Sequence, residues 1–175
     1  MVRTRKAIYV GNQEVQRRYI GNKLIFDNLG DIENENLLPQ SHFEEGDGGW
    51  VSSPSGTVVK KESSLLHTAG GSNPNYTFIL KRIRLESGTY TFTVSARGSS
   101  SIDFRGGGNV SDYNISGLEL DELNYTTHSV TFTVDDSNAD TNLRVYFTRG
   151  VAGEWFELDW VKLEKGSKFT GYSKG

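Results

Sequence analysis

Apolar and polar residues alternate with a period of two in three long runs of the chain. In Thr89-Tyr90-Thr91-Phe92-Thr93-Val94-Ser95-Ala96, the residues Tyr90, Phe92, Val94 and Ala96 share one face, and Thr and Ser occupy the other. The run 129–134 repeats the pattern with Val130, Phe132 and Val134 inward, and the run 142–148 does so with Leu143, Val145 and Phe147. That period belongs to half-buried β-strands. Shorter apolar runs at 57–59, 64–68, 76–85 and 102–105 predict further strands, separated by turns rich in Gly, Asn, Asp and Ser. Residues 109–127 show mixed spacing, and 118–123 reads as a helical turn.

Two aromatic-rich stretches bracket this region. Asn36 to Trp50 carries Leu37, Leu38, Phe43 and Trp50, and Glu154 to Leu163 carries Trp155, Phe156, Leu158, Trp160 and Val161. The first and last strands of a domain, when they are its most apolar ones, are expected to pair. Eight or nine short strands over about 130 residues, with no long helix, predict an all-β fold, an antiparallel β-sandwich. First-to-last pairing favours a jelly roll over an immunoglobulin-like topology. Trp50 is expected in the core.

Ahead of this domain lies an internal repeat. Ile8-Tyr9-Val10-Gly11-Asn12 lines up with Tyr19-Ile20-Gly21-Asn22, and each copy reads as strand, Gly-Asn turn, strand. Gly and Asn tolerate the positive φ of tight hairpin turns. The expectation is a small N-terminal β-meander within residues 1–27, too small to be stable alone. Residues 28–35 then read as an acidic linker, 36–164 as the sandwich and 165–175 as a polar C-terminal tail.

Composition agrees with strands and turns: 20 Gly, 3 Pro and one Met in 175 residues. A net charge of -3 argues against a grip on phosphate backbone, so no nucleic-acid partner is expected. The basic start, Met1 to Lys6, leads into no apolar signal-peptide core, and no apolar run approaches the roughly 20 residues of a membrane helix. The expectation is a soluble protein made without a secretion signal, with no membrane partner.

Catalytic patterns are missing from the sequence. His42, His67 and His128 match no zinc spacing, Cys is absent, and no Gly-x-Ser-x-Gly elbow occurs. The Gly-rich stretch at 105–109 has no Lys-Ser/Thr and no following helix, so it is no phosphate loop. A non-catalytic protein is expected. For a saccharide ligand, aromatic platforms and charged or amide side chains are the relevant groups. Tyr146 faces outward by strand phase, beside Arg144 and Thr148. Arg97 continues the outward Thr and Ser face of its strand. Tyr76 and Tyr113 flank loops, and Trp155 opens the last strand. The alternative for each aromatic is ordinary packing.

Two resemblances add to this reading. Asn36-Leu37-Leu38-Pro39 through Phe43-Glu44, Gly46 and Trp50 is similar to the opening of carbohydrate-binding jelly rolls of the family 4/9/22 type. Leu158-Asp159-Trp160-Val161-Lys162-Leu163 resembles their closing strand. Two positions depart from that pattern: Gln40 stands where Asn is usual, and Trp160 replaces a second Asp. The resemblance implies saccharide binding and a structural Ca²⁺ between first and last strands, with Glu44 and Asp159 as its carboxylates. Asp159, in phase with Val161 and Leu163, is expected to point inward. Separately, the doubled Tyr-x-Gly-Asn segment resembles the N-terminal part of tail and baseplate proteins of phages of Gram-positive bacteria.

Together the resemblances imply a virion accessory protein. Its residues 1–27 would attach to other virion proteins, and its jelly roll would bind host cell-wall polysaccharide during adsorption. A purely structural virion protein without a sugar ligand is the competing reading. The missing signal peptide counts against a detached binding module of a bacterial enzyme. Virion fibres are often trimeric, but no heptad or fibre repeat marks this chain as a homo-oligomer.

Overall fold

The computed structural model describes residues 8–10, 13–15, 18–20, 23–25, 35–38, 40–70, 78–106, 114–135 and 140–172. Chain contacts divide the protein into two units, 1–33 with Thr170–Tyr172, and 34–169 with 173–175. In the smaller unit, β1 (Ile8–Val10) pairs with β2 (Gln13–Val15), and β3 (Arg18–Ile20) pairs with β4 (Lys23–Ile25). The repeat is therefore two separate two-stranded sheets rather than one continuous meander. Three-residue strands form too few rungs for either hairpin to be stable by itself.

The larger unit is a sandwich of two five-stranded antiparallel sheets. The front sheet has the order β11-β10-β13-β8-β5, with β5 at Val51–Ser52, β8 at Phe78–Arg84, β10 at Ile102–Gly106, β11 at Asn114–Leu118 and β13 at Asp140–Phe147. The back sheet has the order β12-β9-β14-β7-β6, with β6 at Gly56–Lys60, β7 at Leu65–Ala69, β9 at Gly88–Gly98, β12 at Thr126–Val134 and β14 at Trp155–Lys165. No helix occurs among the described residues. Where a helical turn was expected, at 118–123, β11 ends at Leu118 and a loop follows. This loop is shaped by Asp121, whose Oδ1 accepts the amides of Leu123 (2.6 Å) and Asn124 (3.0 Å). An Asp that caps its own turn competes with the helix.

The core lies between the inner faces. Tyr90, Phe92, Val94 and Ala96 of β9 are all buried, as their alternation predicts, and meet Ile102, Phe104, Val145 and Phe147 from the front sheet. Phe92 packs edge-on to Phe104 with ring centres 5.5 Å apart, and Trp50 stacks on Phe92 at 6.1 Å. His67 of β7 sits in this core between Phe147 (5.2 Å) and Phe156 (5.1 Å). Its Nδ1 bonds the Thr57 carbonyl at 3.0 Å, while Nε2 finds no partner. Burial therefore lowers its pKa to about 4 against the partial opposition of that bond.

β9 and β14 approach closely at Gly98. A Cβ there would stand 2.4 Å from the Trp155 carbonyl oxygen and 2.9 Å from the Phe156 Cα, so only Gly fits.

The stretch 36–50 was expected to be the first strand. It is instead irregular, with positive φ at Gln40 (52°) and Phe43 (54°), yet it still joins the last strand. The Leu37 amide donates to Leu163 O (2.8 Å), and the Val161 amide donates to Ser41 O (2.8 Å). Phe43 is fully buried, so the loop is held by its apolar anchors rather than by a ladder.

Candidate functional site

Strand phase separates core from surface, and the sandwich has two outward faces. On the front sheet, register aligns Asp103, Tyr146 and Phe78 in one row, and Arg105, Arg144 and Leu80 in the next. The rings of Tyr146 and Phe78 lie 4.7 Å apart. The Arg105 guanidinium stands 4.6 Å over the Tyr146 ring, and that of Arg144 lies 5.7 Å from the Phe78 ring. Arg144 Nη1 also donates to the Tyr146 hydroxyl at 3.3 Å, whereas its buried Nε has no hydrogen-bond partner.

Tyr146 is outward by phase but only 6 % exposed. The expectation of an open ring platform is corrected on that point. Its partners cover the ring, and what the aromatic pair presents is guanidinium.

Asp103 closes one end of this patch. Its Oδ1 accepts from Thr148 Oγ1 (2.8 Å), the Gly117 amide (2.9 Å) and Ser116 Oγ (3.0 Å), and its Oδ2 from Arg105 (3.0 Å). Burial alone would raise the pKa of this carboxyl, but the four donors outweigh it and hold it below the usual carboxylate range.

On the back sheet, Arg97 of β9 faces its register partner Glu157 of β14. Glu157 Oε2 accepts Arg97 Nη2 (2.7 Å) and Nε (3.1 Å), and Oε1 accepts Ser64 Oγ (2.5 Å), with Lys61 Nζ 3.8 Å away. Arg97 also lies 4.9 Å over the Tyr125 ring and 6.0 Å from that of Trp155. Burial opposes ionisation of Glu157, yet the Ser64 and Arg97 bonds leave its pKa lowered. The Tyr125 phenol is pushed up by burial first and then by the Glu157 charge, with the nearby Arg97 working against them.

Farther along the same back-sheet face, the chain after β14 turns back over it. Thr91 Oγ1 donates to Gly166 O (2.9 Å), and Phe169 stacks on Trp160 at 5.9 Å. This accounts for a second departure from the sequence reading. Thr91, Thr93 and Ser95 occupy the outward, polar positions of β9 but are buried.

The six candidate ligand residues thus fall into separate places. Tyr146 and Arg144 are neighbours on the front sheet, and Arg97 and Trp155 are neighbours on the back sheet. Tyr76 and Tyr113 lie outside the described residues. Sequence reasoning missed Phe78, Arg105 and Tyr125. The register pair Tyr146–Phe78 identifies the first, but register is known only once the strands are paired. Tyr125 precedes the alternating run of β12 and has no strand phase to betray it.

The metal expectation meets a β-bulge. Register in β14 slips between Leu158 and Trp160. Glu157 and Leu158 keep the outward–inward alternation, the bulge takes up Asp159, and Trp160 then faces outward. Asp159 is half-buried, where a core-facing side chain was expected. Glu44 is exposed, and no group of three or more His, Cys, Asp or Glu that could hold a metal forms among the described residues. An amide ties the opening stretch to the last strand. Asn36 Nδ2 donates to Val161 O (2.9 Å), and its Oδ1 accepts the amides of Leu163 (3.0 Å) and Leu38 (3.0 Å).

A polar hollow of about 390 Å³ lies at one end of the sandwich, bounded by 98–101, Glu119, Leu120, Glu122, Thr148 and Arg149. It contains no aromatic residue. Ser101 Oγ donates to Glu119 at 3.1 Å across its rim.

No protein-family model matches the sequence, and no curated protein matches it. Solved structures do resemble the fold. A carbohydrate-binding module of family 4 superposes with a TM-score of 0.56 at 15% identity, covering 74% of this chain and 99% of the other. The family 22 xylan-binding domain of Xyn10C from Paenibacillus barcinonensis gives 0.57 at 13% identity, covering 73% and 94%. The second N-terminal cellulose-binding domain of β-1,4-glucanase C from Cellulomonas fimi gives 0.54 at 19%, covering 77% and 97%. The all-β jelly-roll sandwich is thus that of carbohydrate-binding modules.

Proposed function

We propose that this protein is a non-catalytic saccharide-binding protein whose ligand lies across the outer face of the front sheet, on β8, β10 and β13. The observation that carries this reading is the cluster of Arg105 and Arg144 held against Tyr146 and Phe78 on a sandwich shared with carbohydrate-binding modules. Planar guanidiniums fixed by rings offer several donors in one geometry, and saccharide oxygens are acceptors for them. Fold by itself does not assign function, so the reading rests on these residues.

The front-sheet cluster is preferred over the back-sheet one because of how far each is satisfied. Glu157 already accepts two hydrogen bonds from Arg97 and one from Ser64, with Lys61 beside it. On the front face Arg105 is partly exposed, and Arg82 and Arg84 of β8 are exposed beside it.

The setting we propose is a phage virion, with residues 1–27 attaching the saccharide-binding domain to other virion proteins. Two hairpins repeating at an offset of ten, too short to stand alone, support an anchor that docks onto a partner.

Binding of the full chain to immobilised bacterial cell-wall polysaccharide tests the first part. Arg144→Gln and Arg105→Gln are expected to weaken it about tenfold each, the loss of one charge-assisted hydrogen bond. Retained affinity in both variants removes the front face as the site. Deleting residues 1–27 tests the second part. Retention on virion particles is expected to disappear while polysaccharide binding stays; unchanged retention contradicts the anchor.

A further inference from the structure

We infer that the ligand of the front face is an acidic saccharide, one that carries carboxylate or phosphate groups. This rests on the front face being the ligand site, and it goes further by naming the chemistry. The charges on that face are unequal. Arg82 and Arg84 follow Phe78 and Leu80 along the outer side of β8 and are exposed, two and four residues beyond the row of Arg105, Arg144 and Leu80. Against four guanidiniums stands Asp103, buried and already accepting four hydrogen bonds. Asp140 is the register partner of Arg84. Among the described side chains, guanidiniums outnumber carboxylates on this face, in a chain whose net charge is -3.

Donor and acceptor chemistry points the same way. A neutral sugar hydroxyl both donates and accepts, so sites for neutral glycans supply carboxylates and amides along with donors. Here Asp103, at one end of the patch, already accepts four hydrogen bonds, while the guanidiniums of Arg82 and Arg84 are exposed. The aromatic faces that would stack on a neutral sugar ring are engaged too, Tyr146 by Arg105 at 4.6 Å and by Phe78 at 4.7 Å. A surface with donors to spare and few acceptors is complementary to anions, and the planar fork of Arg suits a carboxylate or phosphate.

The test measures binding of the full chain to four polymers: polygalacturonate for carboxylate, wall teichoic acid for phosphate, and xylan and cello-oligosaccharides as neutral comparators. One acidic polymer is expected to bind at least about tenfold more tightly than either neutral one, with affinity falling as salt rises. Arg82→Gln, on an exposed side chain that leaves folding undisturbed, should weaken that binding, and Arg144→Gln should weaken it more. Lys60→Gln, an exposed cation on the back sheet, should not. Equal or tighter binding of a neutral polymer overturns the acidic ligand and leaves saccharide binding standing. An equal effect of Lys60→Gln overturns it as well, by reducing it to diffuse attraction. Binding to none of the four, or to any further neutral glycan, removes the saccharide reading itself.

Discussion

The Asn36 carboxamide accepts the Leu163 amide at 3.0 Å, joining positions 127 residues apart in the chain. The same side chain donates to Val161 O and accepts from Leu38 N, so three backbone groups depend on one amide. It gives the irregular opening stretch of the sandwich a fixed seat on β14 without forming a strand.

Asn36→Ala should destabilise the protein by roughly 1–3 kcal/mol, the cost of leaving such buried groups unpaired. Denaturant unfolding measures it. A chelator added to the unaltered protein should leave the midpoint where it was, because the amide makes this tie. A clear fall with chelator would restore a Ca²⁺ clip through Glu44 and Asp159.

Glu157 anchors the back-sheet cluster. Its replacement by Ala strips Arg97 of two hydrogen bonds and Ser64 of one, and a loss of about 1–3 kcal/mol is expected. Because that network is structural in this account, polysaccharide affinity of the folded Glu157→Ala protein should be unchanged. A parallel loss of affinity would move the site to the back sheet.

Acid should weaken the fold in two stages. The His67 pKa is lowered from 6.5 to about 4, so below pH 6.5 the unfolded chain takes up a proton that the folded one refuses. That stability is present in full above the unfolded value and declines as pH falls toward 4, by about 3 kcal/mol in all. Asp103 and Glu157, with lowered pKa values, add a second loss on further acidification, through and below the ordinary carboxylate range. Unfolding free energy measured from pH 7.5 to 3 should show both. His67→Phe should flatten the upper stage only; an unchanged slope between pH 6.5 and 4 contradicts the buried neutral imidazole.

What the sequence could and could not disclose follows from the range of each interaction. Alternation along Thr89–Ala96 is local, and it placed Tyr90, Phe92, Val94 and Ala96 in the core correctly. The outward phase of Tyr146 was equally legible. Its burial was not, because Phe78 and Arg105 come from other strands. Outward phase also cannot tell one outer face from the other, so Arg97 and Trp155 were grouped with Arg144 and Tyr146 although they belong to opposite sheets. Asp159 was misplaced by a one-residue slip. A bulge exists only relative to a partner strand, and nothing within Leu158-Asp159-Trp160 announces it.

Where the saccharide sits is the central claim, and amide chemical-shift mapping tests it most directly. The isotope-labelled full chain would be titrated with oligosaccharides from the acidic and neutral polymers above. The account predicts shifts concentrated on β8, β10 and β13, strongest around Phe78, Arg105, Arg144 and Tyr146. Shifts gathered instead around Arg97, Tyr125 and Trp155, or around the hollow at 98–101, would contradict it, as would a titration in which no oligosaccharide moves any resonance.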